Sequence, residues 1–400
     1  MAEVVLPVLP LASTLRGHLQ PLLHSVVQGF REATGVELVP ETKDELATEP
    51  ATVLLLLTGG TEEAALEVAE ASAKPVVLLS HGRHNSLPAA LETAARLQQL
   101  GRNVALVHLG SDWGVRLPAL ARAVALARNL RGKRLGVLGD PSPWLVASPP
   151  HTELLAQKLG MELRFYSLAE FLPRVPAQAK TVAEGPAQGV GDEERVMGAR
   201  VQAALEEFVR DQGLSGVTVA CFGLLGHGMT ACWALARLAD CGTPAGCEGD
   251  VPALLALILA QELTGGPGFL ANPADVDLKR ERIVLAHCTV PLTLTQGHTL
   301  RTHFESGIGL AVAGDVRPGP YTLVRLGGER LERGFFVEGT VLPERLGRED
   351  LCRTQVVFKM PKGAIEKMLE NPLGNHHVLI PGHHRAVLAA FHRLFLAESP

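Results

Sequence analysis

The sequence predicts an α/β protein: two doubly wound, Rossmann-like parallel-sheet units, followed by an antiparallel, barrel-like β domain with a terminal helix. Two observations predict it. Over the first two thirds of the chain, short apolar runs alternate with stretches whose apolar residues recur three and four apart. After about Leu285 the segments become β-rich and are punctuated by Gly and Pro. The size agrees, because 400 residues exceed a single hydrophobic core, and 46% hydrophobic residues can fill several.

Residues 1–131 form the first expected unit. Its strands are Val4–Leu9, Thr52–Leu57, Pro75–Leu79 and Val104–Leu109, separated by helical stretches Thr14–Thr34, Thr61–Ala71 and Leu87–Leu100. Helices between strands are the crossovers that parallel pairing requires. Gly and basic residues at Asn129–Lys133 mark the boundary. The second unit, 132–284, begins with the run Arg134–Asp140. It continues with a helix near His151–Leu159, a strand Glu162–Tyr166 and a helix near Glu193–Arg210. A strand Val217–Phe222 and helices Thr230–Asp240 and Val251–Leu263 complete it. Pro173–Gly191 is aperiodic and rich in Pro, Ala and Gly, so it reads as a surface loop. The third unit, 285–400, carries strand-like Tyr321–Leu326, Leu331–Val337 and Gln355–Lys359, then a closing helix Ala386–Ala397.

A net charge of −5 without a dense Lys/Arg stripe argues against a nucleic-acid partner. The six cysteines form no CxxC pair, so reduced thiols are expected. The start Met1-Ala2-Glu3 has no basic leader region, and no apolar run approaches a membrane span. The expectation is a cytoplasmic protein without a membrane partner. Neither α/β unit shows a GxGxxG or Walker-type loop, which gives no support to nucleotide binding.

The chemistry-bearing residues gather in three places. Glu248 lies in Gly246-Cys247-Glu248-Gly249-Asp250, between a strand end and the helix starting near Val251. It is read either as a ligand at the carboxyl end of a strand or as a solvated turn residue. Asp250 stands where a helix N-cap would. His287 ends the apolar run Ile283–Ala286, as a metal ligand or as a hydrogen-bonded strand residue. His376, His377, His383 and His384 crowd nine positions of a chain with 15 histidines, as ligands or as a surface cluster. In the loop His81–Ser86, Arg83 is suited to a hydroxyl or phosphate, or is simply solvated.

Taken together, Ala245–His287, Asn85–Ala89, Leu300–Gly309 and Gly374–His377 resemble segments of the L-fucose and L-arabinose isomerase superfamily, in order over most of the chain. The likeness is specific at Cys247–Asp250 and at Asn375-His376. It implies a Mn²⁺ (or other divalent cation) site in which Glu248 is the first acidic ligand and a proton-transfer residue. His376 would be the C-terminal histidine ligand, and His287 matches a ligand of the arabinose branch. The second acidic ligand falls on Asn272. Arg83, Asn85 and Asn375 make up the expected substrate-binding set. The implied activity is aldose–ketose isomerisation of a free sugar through an enediol, in a homo-oligomer, often a hexamer in that superfamily. An asparagine cannot accept or deliver a proton, so the alternative is a catalytically impaired sugar- or metal-binding homologue. Asp275, Asp277 and Glu305 are the carboxylates available as substitutes.

Overall fold

The computed structural model describes residues 4–13, 19–110 and 116–398. The start Met1-Ala2-Glu3 and residues Thr14–His18 of the expected first helix lie outside the described residues. The chain divides into two compact units, Met1–Arg131 with Ala386–Pro400, and Gly132–Arg385.

The first unit is built on five parallel strands: β1 (Val4–Leu11), β2 (Val36–Pro40), β3 (Thr52–Leu56), β4 (Val76–His81) and β5 (Val104–Leu109), in the order β2-β1-β3-β4-β5. Every residue of β3 and β4 is buried, as expected of parallel strands covered on both faces. Strand β2 was not read from the sequence. It is short and follows Gly35, whose φ of +70° stops helix Leu19–Thr34 and turns the chain back. The closing helix, Arg385–Phe391 running on to His392–Leu396, belongs largely to this unit although the sequence places it after the β domain. The Asn103 side chain donates to the carbonyls of Leu394 and Ala397 at 3.2 and 3.0 Å, holding the helix end beside β5.

The second unit opens with four parallel strands, β6 (Arg134–Leu138), β7 (Glu162–Tyr166), β8 (Gly216–Val219) and β9 (Ala245–Cys247), in the order β7-β6-β8-β9. Helix Val251–Thr264 follows. Its first ten residues are all buried, because it packs against β8 and β9 as well as against β10, β14 and β17 of the barrel that comes next.

The remaining strands are β10 (Phe269–Asp277), β11 (Arg282–His287), β12 (Thr295–Arg301), β13 (Ala311–Val316), β14 (Gly319–Gly327), β15 (Arg333–Val341), β16 (Thr354–Lys359) and β17 (His377–Pro381). Six of them close an antiparallel barrel in the order β10-β11-β16-β15-β14-β17, while β12 and β13 pair separately. Ala271, Ile283, Leu285, Leu323, Val356, Phe358 and Leu379 fill its core. The segment Asn272-Pro273-Ala274-Asp275 is part of β10 although its residue types favour turns. A register shift between Pro273 and Asp275 absorbs the proline, which has no N–H to give to the ladder.

Replacing Asn103 by Ala removes both side-chain bonds to the closing helix, and each is worth about 0.5–1.5 kcal/mol. Amide hydrogen exchange should then accelerate across 386–396 and stay unchanged in β10 and β11.

Candidate metal centre

In an open parallel sheet, ligands bind outside the carboxyl ends of the strands. The loops after β6 and β9 meet there. Ser142 N–H donates to the Glu248 carbonyl at 2.9 Å, and Trp144 Nε1 donates to Glu248 Oε2 at 2.5 Å. The turn after β9 has two successive left-handed residues, Glu248 (φ +63°) and Gly249 (φ +77°). Such a backbone costs a residue with a Cβ roughly 1–2 kcal/mol, so the Glu248 carboxylate is aimed at a conformational price. Gly249 is required twice over, since a Cβ there would also lie 2.6 Å from Pro141 Cα.

Asp250 caps helix Val251–Thr264 as expected, accepting from Ala253 N–H at 2.8 Å. It does more. Fully buried, it takes both oxygens to Arg325 Nη1 of β14 at 3.0 and 3.2 Å, and it accepts from His376 Nδ1 at 3.0 Å. Arg325 also reaches Ser148 Oγ at 2.5 Å. A Cβ at Gly374 (φ +138°) would collide with the guanidinium, so the loop carrying His376 lies directly on this ion pair.

The structure brings Glu248, His287 and His376 together. His376 Nε2 stands 3.4 Å from Glu248 Oε1, and the His287 and His376 rings are 5.6 Å apart, edge to face. Donor atoms of Cys247, Glu248 and His287 all lie within 4.8 Å of one another. His287 ends β11 with Nδ1 2.9 Å from Thr289 Oγ1, which leaves Nε2 for the pocket when Nδ1 carries the proton. Asn272 pairs with Ala286, the residue before His287, and its neighbour Ala271 pairs with His377, the residue after His376.

Two buried polar atoms in these segments make no hydrogen bond among the described residues: Asn272 Oδ1, and His376 Nε2, whose contact with Glu248 Oε1 is an ion pair at 3.4 Å. Each carries a lone pair that a cation would take up, or in the case of Nε2 does so once deprotonated. The Glu248 carboxylate, the free nitrogen of His287 and a deprotonated His376 Nε2 together offer O and N donors of the kind that suit a divalent transition-metal cation. Asp250 behind His376 is the carboxylate that commonly orients a ligating imidazole.

The electrostatics are divided. Burial lowers the pKa of His287 to about 4, with His376 adding to the effect, so His287 is neutral. Burial also pulls on His376, but the Asp250 and Glu248 carboxylates outweigh it and raise the pKa to about 9. Burial raises that of Asp250, yet Arg325 and His376 prevail and hold it at about 2. Glu248 is lowered for a similar reason: His376 and Trp144 overcome its desolvation.

The other expected residues lie elsewhere. Asn375 is exposed, and its carbonyl accepts from His377 Nδ1 at 3.1 Å. Asp275 is exposed and paired with Arg348 at 2.9 Å, and Asp277 caps Arg280 N–H at 3.1 Å; neither turns toward Asn272. Glu305 is exposed. Arg83 and Asn85 belong to the first unit, where the Arg83 guanidinium is 3.3 Å from Ser25 Oγ. Asn85, at φ +57°, heads helix Ser86–Gln99 and lines an open cavity of about 450 Å³ with Thr58, Glu62 and His84. Sequence reasoning missed Trp144, Cys247 and Arg325. Trp144 stacks edge to face on Phe222 at 4.8 Å, and Phe222 in turn lies 5.8 Å from His303.

No protein-family model matches the chain. It is similar to sulfoquinovose isomerases. That of Priestia megaterium (strain ATCC 12872 / QMB1551) is 23% identical over 263 residues, 61% of this chain and 59% of that protein. That of Clostridium sp. (strain MSTE9) is 23% identical over 328 residues, 74% of this chain and 71% of that protein. The chain therefore spans about three fifths of the length of the Priestia relative. These distant homologues are, by name, sugar isomerases. Among the described residues, no helix is long and apolar enough to cross a membrane.

Replacing Arg325 by Met leaves Asp250 buried without its main counter-charge. The expected loss is about 3–5 kcal/mol of unfolding free energy, read from urea denaturation of the metal-free protein.

Proposed function

We propose that this protein is a metal-dependent aldose–ketose sugar isomerase. One observation carries the reading: Glu248, His287 and His376, distant in sequence, converge at a buried point, with His376 Nε2 3.4 Å from Glu248 Oε1 and the two imidazole rings 5.6 Å apart. The kinship with proteins named as isomerases of a sugar supports the same conclusion.

Mn²⁺ or a similar divalent cation would be held by Glu248, His287, His376 and the Asn272 amide oxygen. Bound there, it would polarise the carbonyl and hydroxyl oxygens of the sugar. The chain's own residues then divide the proton work. Trp144 occupies Glu248 Oε2, so Oε1 is the oxygen facing the pocket. Glu248 takes the proton from the carbon beside the carbonyl, the C–H electron pair forms the carbon–carbon double bond of the enediol, and the same proton returns to the neighbouring carbon. The carbonyl π pair moves onto O1, which takes up the proton that O2 gives up as it becomes the new carbonyl, so the carbon and oxygen protons both pass from position 2 to position 1. Asn272 can ligate but cannot carry a proton, so both carbon transfers fall to Glu248, on one face of the enediol. Neutral His287 adds a ligand without adding charge.

The substrate class is an aldose, and the names of the relatives put sulfoquinovose first in the panel to be tried. Incubating the Mn²⁺-loaded protein with neutral and anionic aldoses in D₂O, followed by NMR, should show ketose product with the carbon skeleton preserved. Substrate deuterated at C2 should pass part of its label to C1, as a single shuttling carboxylate requires. Glu248→Gln should slow turnover about 10²–10⁴-fold. No exchange with any sugar in the folded, loaded protein would overturn the reading.

A second reading has one observation behind it, the amide at 272. If the protein only binds sugar, an aldose raises the melting temperature without turnover, and Asn272→Asp creates activity. Turnover in the wild type excludes that alternative.

A further inference from the structure

A second polar cavity, of about 370 Å³, is lined by residues of β12, of β13 and of the segment leading into β16, among them Arg301, Arg345, Arg348, Arg353, Asp315 and Glu344. Most of these charges are already matched. Arg345 pairs with Asp315, Arg348 with Asp275 and Asp350, and Glu344 with Arg282. Arg301 and Arg353 differ, because they share a single carboxylate. Glu349 takes two parallel bonds from Arg301 at 2.9 Å and a third from Arg353 at 3.1 Å.

Two cations against one anion leave a positive charge over. The burial is lopsided as well: the Arg301 and Arg353 side chains are only 22% and 10% exposed, whereas Glu349 is 66% exposed. The guanidiniums are fixed parts of the wall. Arg353 Nε is tied to the Thr302 carbonyl at 2.9 Å, and its guanidinium sits 5.7 Å over the Phe304 ring. Glu349 is a solvated plug on them. Arg301 Nε is buried with no hydrogen-bond partner among the described residues, which leaves a donor unspent. Paired guanidinium forks that are partly desolvated match the geometry of a tetrahedral oxyanion.

We propose that this cavity is an oxyanion subsite, in which the phosphate or sulfonate group of an anionic sugar displaces Glu349 from Arg301 and Arg353. Binding of the oxyanion stands by itself; its assignment to the sugar rests on the isomerase reading.

Titration calorimetry on the whole protein tests both parts. Inorganic phosphate and sulfate, against chloride at equal ionic strength, should bind the wild type. Glu349→Gln removes the plug and should tighten phosphate about fivefold. Arg301→Met and Arg353→Met should each weaken it about tenfold or more. Glucose 6-phosphate should bind more tightly than glucose, and that preference should vanish in Arg301→Met. Circular dichroism checks folding, and if the arginine variants do not fold, the gain in Glu349→Gln decides. Equal responses to phosphate and chloride in both wild type and Glu349→Gln overturn the subsite. A charged-sugar preference that survives in a folded Arg301→Met overturns its assignment to the sugar. Neither result touches the proton exchange that tests the isomerase reading.

Discussion

The organisation of the second unit depends on one buried carboxylate. Asp250 begins a helix, neutralises a barrel arginine and holds a loop histidine, three tasks in three directions at distances of 2.8–3.2 Å. Desolvating a lone carboxylate costs several kcal/mol, so the position tolerates a charge only while all its partners are present. The helix after β9, strand β14 and the loop before β17 are thereby fixed relative to a common point. Glu248, two residues earlier, inherits that rigidity. Its left-handed backbone survives because Ser142 and Trp144 on one side and the Asp250 cap on the other over-determine it.

Much of the site was readable in the sequence because its residues sit at punctuation. Glu248 is framed by glycines, His287 closes an apolar run, and His376 belongs to a histidine cluster unusual for the chain. Residues that act through distance left no such mark. Arg325 lies in mid-strand, where an arginine ordinarily points to solvent, and only the barrel's packing against helix Val251–Thr264 turns it inward. Trp144 comes from a loop whose composition suggests no more than a turn. Strand β10 was hidden by Asn272-Pro273, a pair that local rules assign to a turn and that the barrel accommodates with a bulge. Asp250 was seen as a cap, which it is. Its two other partners lie 75 and 126 residues away, beyond the reach of any local pattern.

The donor set is economical in charge. Under the proposed function Glu248 would be the anionic donor and Asn272 a neutral oxygen, while His287 is held uncharged by burial. Under the proposed function, one carboxylate would both hold a cation and handle a proton. Trp144 is half exposed and binds only one of the two oxygens, so it steers the group without occupying it fully.

The closing helix has an effect that reaches back to how the chain is made. The first unit is discontinuous: Met1–Arg131 is completed by Ala386–Pro400. During synthesis, β1 to β5 leave the ribosome long before the segment that packs beside Asn103 exists. At about 5–20 residues per second, the intervening stretch of roughly 250 residues delays that segment by on the order of tens of seconds. The nascent amino-terminal sheet must wait through this interval without the segment that completes its unit, and the barrel, continuous in sequence, can finish before it.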